Sequence, residues 1–202
     1  VSKKPLFTKA WNDYYKGIFE YVPAKKVTRV EAKDKNVIVE GIEDHKGDVV
    51  NLIPPQRAGS IAVAAGLVGD DKKWCPVNPV TFESAKHKFI HVIGDACAPP
   101  SEGAPMPKSG YSANSQAKVC AANVVAMMNG KETVDLSGIN VCYSAISDSE
   151  SVSIAAVYKV ANGKITAVPN SGGISPADFS LTKMEHIYGE SWLKNILTEM
   201  SS

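Results

Sequence analysis

The chain has 202 residues, of which 22 are Lys or Arg and 21 are Asp or Glu, and its formal net charge is +1. This near-neutral charge gives no sign of the basic surface with which proteins bind nucleic acids or anionic membranes. No apolar run approaches the length of a transmembrane helix. The length suffices for one domain with a hydrophobic core or for two small ones.

The cysteines and histidines show no pattern typical of metal binding. Four cysteines stand at positions 75, 97, 120 and 142, without CxxC or CxxH spacing, and they are too few for a disulfide scaffold. Each cysteine by itself is therefore first interpreted as a small buried hydrophobe. The histidines are scattered: His45, His87, His91 and His186. We predict no metal site.

The first third of the chain predicts one helix followed by short strands. Aromatic and aliphatic residues at helical spacing predict a helix over 8–18. Three segments rich in β-branched residues predict strands, the first two forming a hairpin: 27–30, 37–39 and 49–53. Pro54 and Pro55 end the third strand because proline lacks a backbone donor.

The middle of the chain is dominated by one long helix. An Ala-rich helix over 56–65 and an extended, proline-broken segment over 74–82 precede a short apolar strand over 89–93. A Pro- and Gly-rich loop then leads to a helix over 109–128, ended by Asn129 and Gly130.

The last third predicts strands and a closing helix. The strands are expected at 141–145, 153–160 and 164–167, with a hairpin turn at Asn162 and Gly163. An amphipathic helix over about 176–200 closes the chain, and a domain boundary is expected near Gly130.

Two motifs point to a flavin. The strand over 89–93 delivers Gly94, Asp95 and Ala96 to its carboxyl end, where α/β sheets bind ligands. Glycine permits close backbone approach, and the Asp carboxylate offers acceptors to a hydroxylated ligand such as the ribityl chain of FAD. The alternative is an ordinary strand-to-loop turn with an Asx cap.

The second motif, Lys108, Ser109, Gly110 and Tyr111, begins the long helix. A helix N-terminus presents free N–H groups and partial positive charge, which suit the negative charge of a reduced flavin. The alternative is a plain serine cap.

Four segments in this order resemble a known family: 51–56 (NLIPPQ), 74–79 (WCPVNP), 91–96 (HVIGDA) and 106–116 (MPKSGYSANSQ). Together they are similar to the flavoprotein subunit of flavocytochrome c sulfide dehydrogenase, a relative of sulfide:quinone oxidoreductase and of the two-Rossmann disulfide reductases. The resemblance implies an α/β fold, part of an FAD/NAD(P)-binding two-Rossmann flavoprotein with a small α+β C-terminal domain. It also implies FAD as cofactor.

The resemblance gives Cys142 a role that its position alone does not. In the family a cysteine in a segment like 139–144 (INVCYS) forms a disulfide with a cysteine of the N-terminal half. Sulfide attacks that disulfide, and an electron pair passes to the flavin. From the residues alone, Cys142 is equally well a buried strand cysteine, and the other three cysteines receive no catalytic role.

Further residues are candidates for flavin contacts. Lys108 is expected at the flavin edge, its alternative being a solvated loop lysine. Pro54 and Pro55 are expected to wall the flavin or substrate pocket, their alternative being strand termination. The last helix, with Trp192 and Leu193, is expected in contacts between chains or simply in the core.

The resemblance also predicts the domain organisation. Residues 1–55 correspond to the remainder of the NAD-like second Rossmann domain, 56–131 to the C-terminal part of the FAD-binding domain, and 132–202 to a small flavin-binding and interface domain. The sequence has no GxGxxG motif, so it is expected to be the C-terminal half of the flavoprotein, with part of the site elsewhere. Stability is then expected to need a companion chain or dimerisation.

The leading functional hypothesis is a sulfide dehydrogenase that passes electrons through FAD to a c-type cytochrome, in the periplasm by resemblance. A second hypothesis is a sulfide:quinone oxidoreductase, against which the mixed charge of the last helix argues. A third is a flavin-free folding or interaction module, which the missing dinucleotide motif favours.

Overall fold

The computed structural model describes residues 2–42 and 44–201, which form two compact units. The smaller unit comprises residues 11–56, and the larger comprises residues 57–201 together with the first residues up to Ala10. Helix α1, Lys4–Tyr14, contributes residues to both. It begins and ends four residues earlier than predicted, because Pro5 is accepted in a first helical turn and Gly17, at φ +79°, follows its end.

The smaller unit contains an antiparallel sheet in the order β1-β2-β3. Its strands are β1 (Val27–Glu31), β2 (Asn36–Val39) and β3 (His45–Lys46). The predicted hairpin is confirmed by the pairing of β1 with β2. The strand predicted over 49–53 is wrong: that segment has no ladder partner among the described residues, and Val49 and Ile53 are exposed.

The larger unit is built around a mostly antiparallel sheet of five strands. These strands are β6 (Ser101–Glu102), β7 (Ser137–Ala145), β8 (Ser151–Ala161), β9 (Lys164–Ala167) and β10 (Gly173–Ile174). Strand β7 pairs with β8 from Ser137↔Lys159 to Ala145↔Ser151, while β9 and β10 pair with the other edge of β8. Two further short strands, β4 (Cys75–Pro76) and β5 (Cys97–Ala98), pair in parallel.

Three helices complete the larger unit. They are α2 (Ser60–Ala64), α3 (Gly110–Met128) and α4 (Thr182–Ser201). The long central helix and the last helix are confirmed, although α4 begins six residues later than predicted because residues 176–181 form turns. The helix predicted over 56–65 shrinks to α2. The mixed helix and sheet content confirms the predicted α/β class.

The strand predicted over 89–93 is wrong. Phe89 is 89% exposed at φ +65°, a conformation incompatible with extended backbone. Its neighbours bond to a loop: Ser84 N–H donates to Ile90 O, and Val92 N–H donates to Phe82 O. Gly94–Ala96 nevertheless follow directly, as one turn of 3₁₀ helix.

The largest core cluster joins the sheet to α3. Its members are buried apolar side chains from α3, from the sheet and from the connecting segments between them: Val77, Phe82, Cys97, Met106, Cys120, Leu136, Tyr158 and Ile165. Cys120 is thus a core residue, as expected. A second cluster packs Leu6 and Ala10 of α1 against Ile146 and Val152.

None of the described helices is long and apolar enough to cross a membrane. Within the described ranges no group of three or more His, Cys, Asp or Glu side chains is arranged to hold a metal ion.

Candidate functional site

The N-terminus of α3 is the centre of the candidate site. The Ser109 hydroxyl accepts a hydrogen bond from the Ser112 amide at 3.1 Å and so caps the helix. The amides of Gly110 and Tyr111, in the first turn, have no acceptor within the helix. A helix of 19 residues adds its dipole at this end, so the site favours an electron-rich group.

One cleft, the loop cleft, lies beside this helix end. It has a volume of about 330 Å³, and its lining includes four predicted cofactor residues: Gly94, Asp95, Lys108 and Ser109. Asp95 is exposed at this cleft. The structure thus brings together residues from the two motifs that the sequence linked to flavin binding.

Gly94 is held at this cleft by a side chain of α3. Its φ is +68°, which favours glycine, and its N–H donates to Gln116 Oε1 at 2.7 Å. Cys97 also contacts Gln116 Oε1, through its Sγ at 3.5 Å. Burial raises the pKa of the Cys97 thiol to about 11. Burial therefore favours the neutral thiol of Cys97, and the prediction that it has no catalytic role stays a prediction.

Lys108 is engaged by protein groups. Its Nζ donates to the carbonyl oxygens of Asp95 and Cys97, the latter at 2.8 Å, and lies 4.0 Å from the ring centroid of Trp74. These contacts close the turn that contains Gly94 and Asp95. The ammonium therefore lines the cleft from a fixed position, and a direct flavin contact stays a prediction.

A second cleft, the strand cleft, lies between α3, β7 and α4. Its volume is about 350 Å³, and its lining includes Ser109, Gly110, Tyr111, Cys142 and Trp192. Tyr111 and Trp192 stack, with ring centroids 5.2 Å apart and planes 11° from parallel. The half-buried Cys142 thus shares a cleft with the helix end. Ser109 lines both clefts.

Two residues that the sequence did not single out contact the Cys142 segment. Lys3 Nζ donates to Cys142 O at 3.0 Å and to Ser144 Oγ at 2.6 Å. Burial lowers the pKa of Lys3, while the charges of Cys142 and Glu185 act to raise it. Asn140 Nδ2 lies 3.4 Å from Cys142 Sγ. Strand alternation puts residues 140 and 142 on one face, a signal present in the sequence, whereas nothing in the sequence links Lys3 to Cys142.

The remaining predicted residues lie elsewhere. Ala96 is half-buried and packs against the cluster formed by Ala58, Ala62, Leu67 and Cys75. Pro54 and Pro55 are exposed residues of the smaller unit. Their expected role as walls of the pocket stays a prediction.

The groups at the helix end fit a flavin. Free first-turn amides supply donors for an electron-rich ring edge, and the exposed Asp95 carboxylate supplies acceptors for hydroxyl groups. The stacked pair of Tyr111 and Trp192 supplies a flat apolar surface. The fold and the site thus define a class of protein, namely one that binds a planar, partly polar ligand such as a flavin.

Two family models match the chain and specify this class. The central model of the sulfide dehydrogenase (flavocytochrome c) flavoprotein chain matches residues 1–54, and the flavocytochrome c sulphide dehydrogenase flavin-binding model matches residues 136–200. Together the matches cover more than half of the chain. The chain belongs to the flavoprotein chains of flavocytochrome c sulfide dehydrogenase. Its cofactor is accordingly FAD, and membership implies association with a cytochrome subunit.

Proposed function

We propose that this chain takes part in the oxidation of sulfide, with Cys142 as one of two cysteines that form a redox-active disulfide. The observation that carries the proposal is the position of Cys142, half-buried in the strand cleft beside the N-terminus of α3. Family membership supports an oxidoreductase that contains a flavin. The second cysteine is expected outside this chain's four, as the resemblance implies.

The proposed chemistry balances as a thiol–disulfide exchange followed by electron transfer. Hydrosulfide attacks the disulfide, its sulfur bonds to one cysteine as a persulfide, and the S–S bond breaks to leave a thiolate on the other. FAD, when bound, would accept the two electrons released when the thiolate and the deprotonated persulfide re-form the disulfide and give up one sulfur atom at the zero oxidation state. The chain's own contribution is to place Cys142 Sγ beside the cap of α3 and to hold it there.

The onward electron acceptor is proposed to be the c-type cytochrome subunit that family membership implies. The proposed compartment is the periplasm, where disulfides persist under oxidising conditions. Lys108, Ser109, Gly110 and Tyr111 are proposed to hold the flavin, with Gly94 and Asp95 at its ribityl chain. The lining of the two clefts supports this assignment.

The test is an anaerobic sulfide titration of the FAD-loaded holoprotein, followed by flavin absorbance. We expect Cys142→Ser to retain the flavin spectrum and to bleach with dithionite, but to lose bleaching by sulfide. The hydroxyl of serine neither forms a disulfide nor leaves as a thiolate.

Cys120→Ser is the matched control, because Cys120 lies buried in α3 within the core cluster. It is expected to bleach with sulfide as the wild type does. Bleaching of Cys142→Ser at the wild-type rate would remove Cys142 from the mechanism. Failure of the purified protein to bind added FAD would contradict the flavin assignment.

A further inference from the structure

Asn140 connects the cap of α3 to the sulfur of Cys142. It is only 2% exposed, although its side chain is fully polar, so its hydrogen bonds must be made within the protein. Its Oδ1 lies 2.6 Å from Ser109 Oγ and 3.2 Å from Ser112 Oγ, and its Nδ2 lies 3.4 Å from Cys142 Sγ. One buried amide thus joins two helix-end hydroxyls to one thiol.

The two serine hydroxyls fix the orientation of this amide. The 2.6 Å separation from Ser109 suits an O–H···O bond and is shorter than an N–H···O bond. The Ser109 oxygen already accepts from the Ser112 amide, so its hydroxyl hydrogen is the group left to donate. Both lone pairs of Asn140 Oδ1 are then occupied, by Ser109 and Ser112.

This arrangement decides whether the sulfur of Cys142 donates a hydrogen bond to Asn140 or accepts one from it. A thiol would donate to Asn140 Oδ1 over 3.6 Å, an ordinary distance for sulfur, but the two serine hydroxyls already occupy that oxygen. Asn140 Nδ2, by contrast, donates to Sγ at 3.4 Å, and a thiolate is a much stronger acceptor than a thiol. The fixed amide therefore matches the ionised sulfur better than the protonated one.

We propose that Asn140 is a positioning residue that stabilises the thiolate of Cys142 by donating a hydrogen bond from Nδ2 to Sγ. The inference deepens the proposed function and rests on Cys142 as its reacting cysteine. Lys3 adds a positive charge nearby, because its ammonium donates a hydrogen bond to the Cys142 carbonyl oxygen at 3.0 Å. The thiolate is the product of disulfide opening, so its stabilisation favours that step.

The experiment measures the alkylation rate of Cys142 by iodoacetamide in the reduced, FAD-loaded holoprotein at pH 7, resolved by peptide mass spectrometry. The thiolate is the form that reacts, so the rate follows its population. Asn140→Asp keeps an oxygen for the two serines and replaces the Nδ2 donor with a second oxygen. We expect alkylation about tenfold slower, the size of one lost hydrogen bond to a charged group.

Asn140→Leu is the second variant, since it has no donor in any protonation state, and it is expected to slow alkylation by a similar factor. Asn123→Asp is the matched control. Asn123 is fully buried too, but its amide bonds to Val80 O and Val134 O. A general loosening of the fold would expose Cys142 and speed its alkylation, which is the opposite sign.

Wild-type alkylation rates in both Asn140 variants, or an equal slowing in Asn123→Asp, would overturn the proposal. The readout involves no sulfide and no turnover. A slowed alkylation together with normal sulfide bleaching of Cys142→Ser would therefore keep the inference and reject the proposed function.

Discussion

Lys3 shows how one side chain near the start of the chain secures the candidate site. Its ammonium is half-buried between the Cys142 carbonyl and the Ser144 hydroxyl, both on β7. Burial alone disfavours this charge and lowers the pKa of Lys3, so the position is maintained by its hydrogen bonds. The residue therefore fastens the segment before α1 to the strand that contains Cys142.

Replacement of Lys3 by methionine keeps the length of the side chain and removes both hydrogen bonds. We expect the free energy of unfolding to fall by about 1 kcal/mol, the net size of such bonds. Urea denaturation followed by circular dichroism measures the change. Lys4→Met is the control, because Lys4 is exposed and is expected to change stability less. Equal effects of the two substitutions would contradict the fastening role of Lys3.

At the scale of elements, the pairing of β10 with β8 depends on a glycine. A Cβ added to Gly172 would lie 2.2 Å from the carbonyl oxygen of Ala155, a backbone atom that cannot move aside without breaking the sheet. Gly173, its neighbour and the partner of Ala155 in the ladder, has open space where a Cβ would stand. The two adjacent glycines thus have different reasons to be present.

Gly172→Ala is expected to destabilise the larger unit by about 1–3 kcal/mol, the usual cost of overpacking. Gly173→Ala is expected to be nearly neutral. Thermal unfolding of the two variants separates the cases, since they share the same change in composition and in chain entropy. The assignment fails if both variants melt at the same temperature.

Elements with local signals were predictable, and those that depend on distant pairing were not. Helix α3 has a Ser109 cap and a Gly130 stop, and the β8–β9 hairpin has Asn162 and Gly163 at its turn, at φ +50° and +71°. The segments at 49–53 and 89–93 have the composition of strands, but in the described chain the first has no ladder partner and the second makes only one isolated bridge, between His91 and Glu83. β-Branched composition alone does not supply a ladder.

The same limit applies to the candidate site. The motif around Gly94 and the helix start at Ser109 were predictable because each is a short local pattern. The contacts of Lys3 and Asn140 were not, because they require the segment before α1 and the start of α3 to pack against β7. The domain boundaries at 55 and 131 stay predictions.

The buried thiols contribute to the loss of stability at alkaline pH. Burial raises the pKa of Cys97 from 9.0 to about 11, and it raises the pKa of Cys75 and of Cys120 in the same direction. Above pH 9 the unfolded chain loses the Cys97 proton while the folded chain keeps it. Stability that is fully present below pH 9 is therefore lost as the pH rises through 11.

Cys97→Ser removes the titrating thiol and should flatten this alkaline loss by about 2–3 kcal/mol between pH 9 and 11. Urea denaturation at several pH values in the presence of a reductant measures the slope. Burial lowers the pKa of Lys3, so the titration of Lys3 makes the free energy of unfolding rise with pH. This contribution is the same in the wild type and in the variant, and it cancels when their slopes are compared. Parallel slopes for the variant and the wild type would contradict the effect.

The contacts around Cys142 also bear on when the site forms during folding. Two of these contacts join residues far apart in the chain: Lys3 and Cys142 are separated by 139 positions, and Ser109 and Asn140 by 31. Contacts of such sequence separation form only after large loops have closed. The Lys3 contact, and the serine hydroxyls that orient the Asn140 amide, are therefore absent from a nascent or partly folded chain. Asn140 is held with its Nδ2 toward the sulfur only in the finished fold, so the surroundings of Cys142 are completed last.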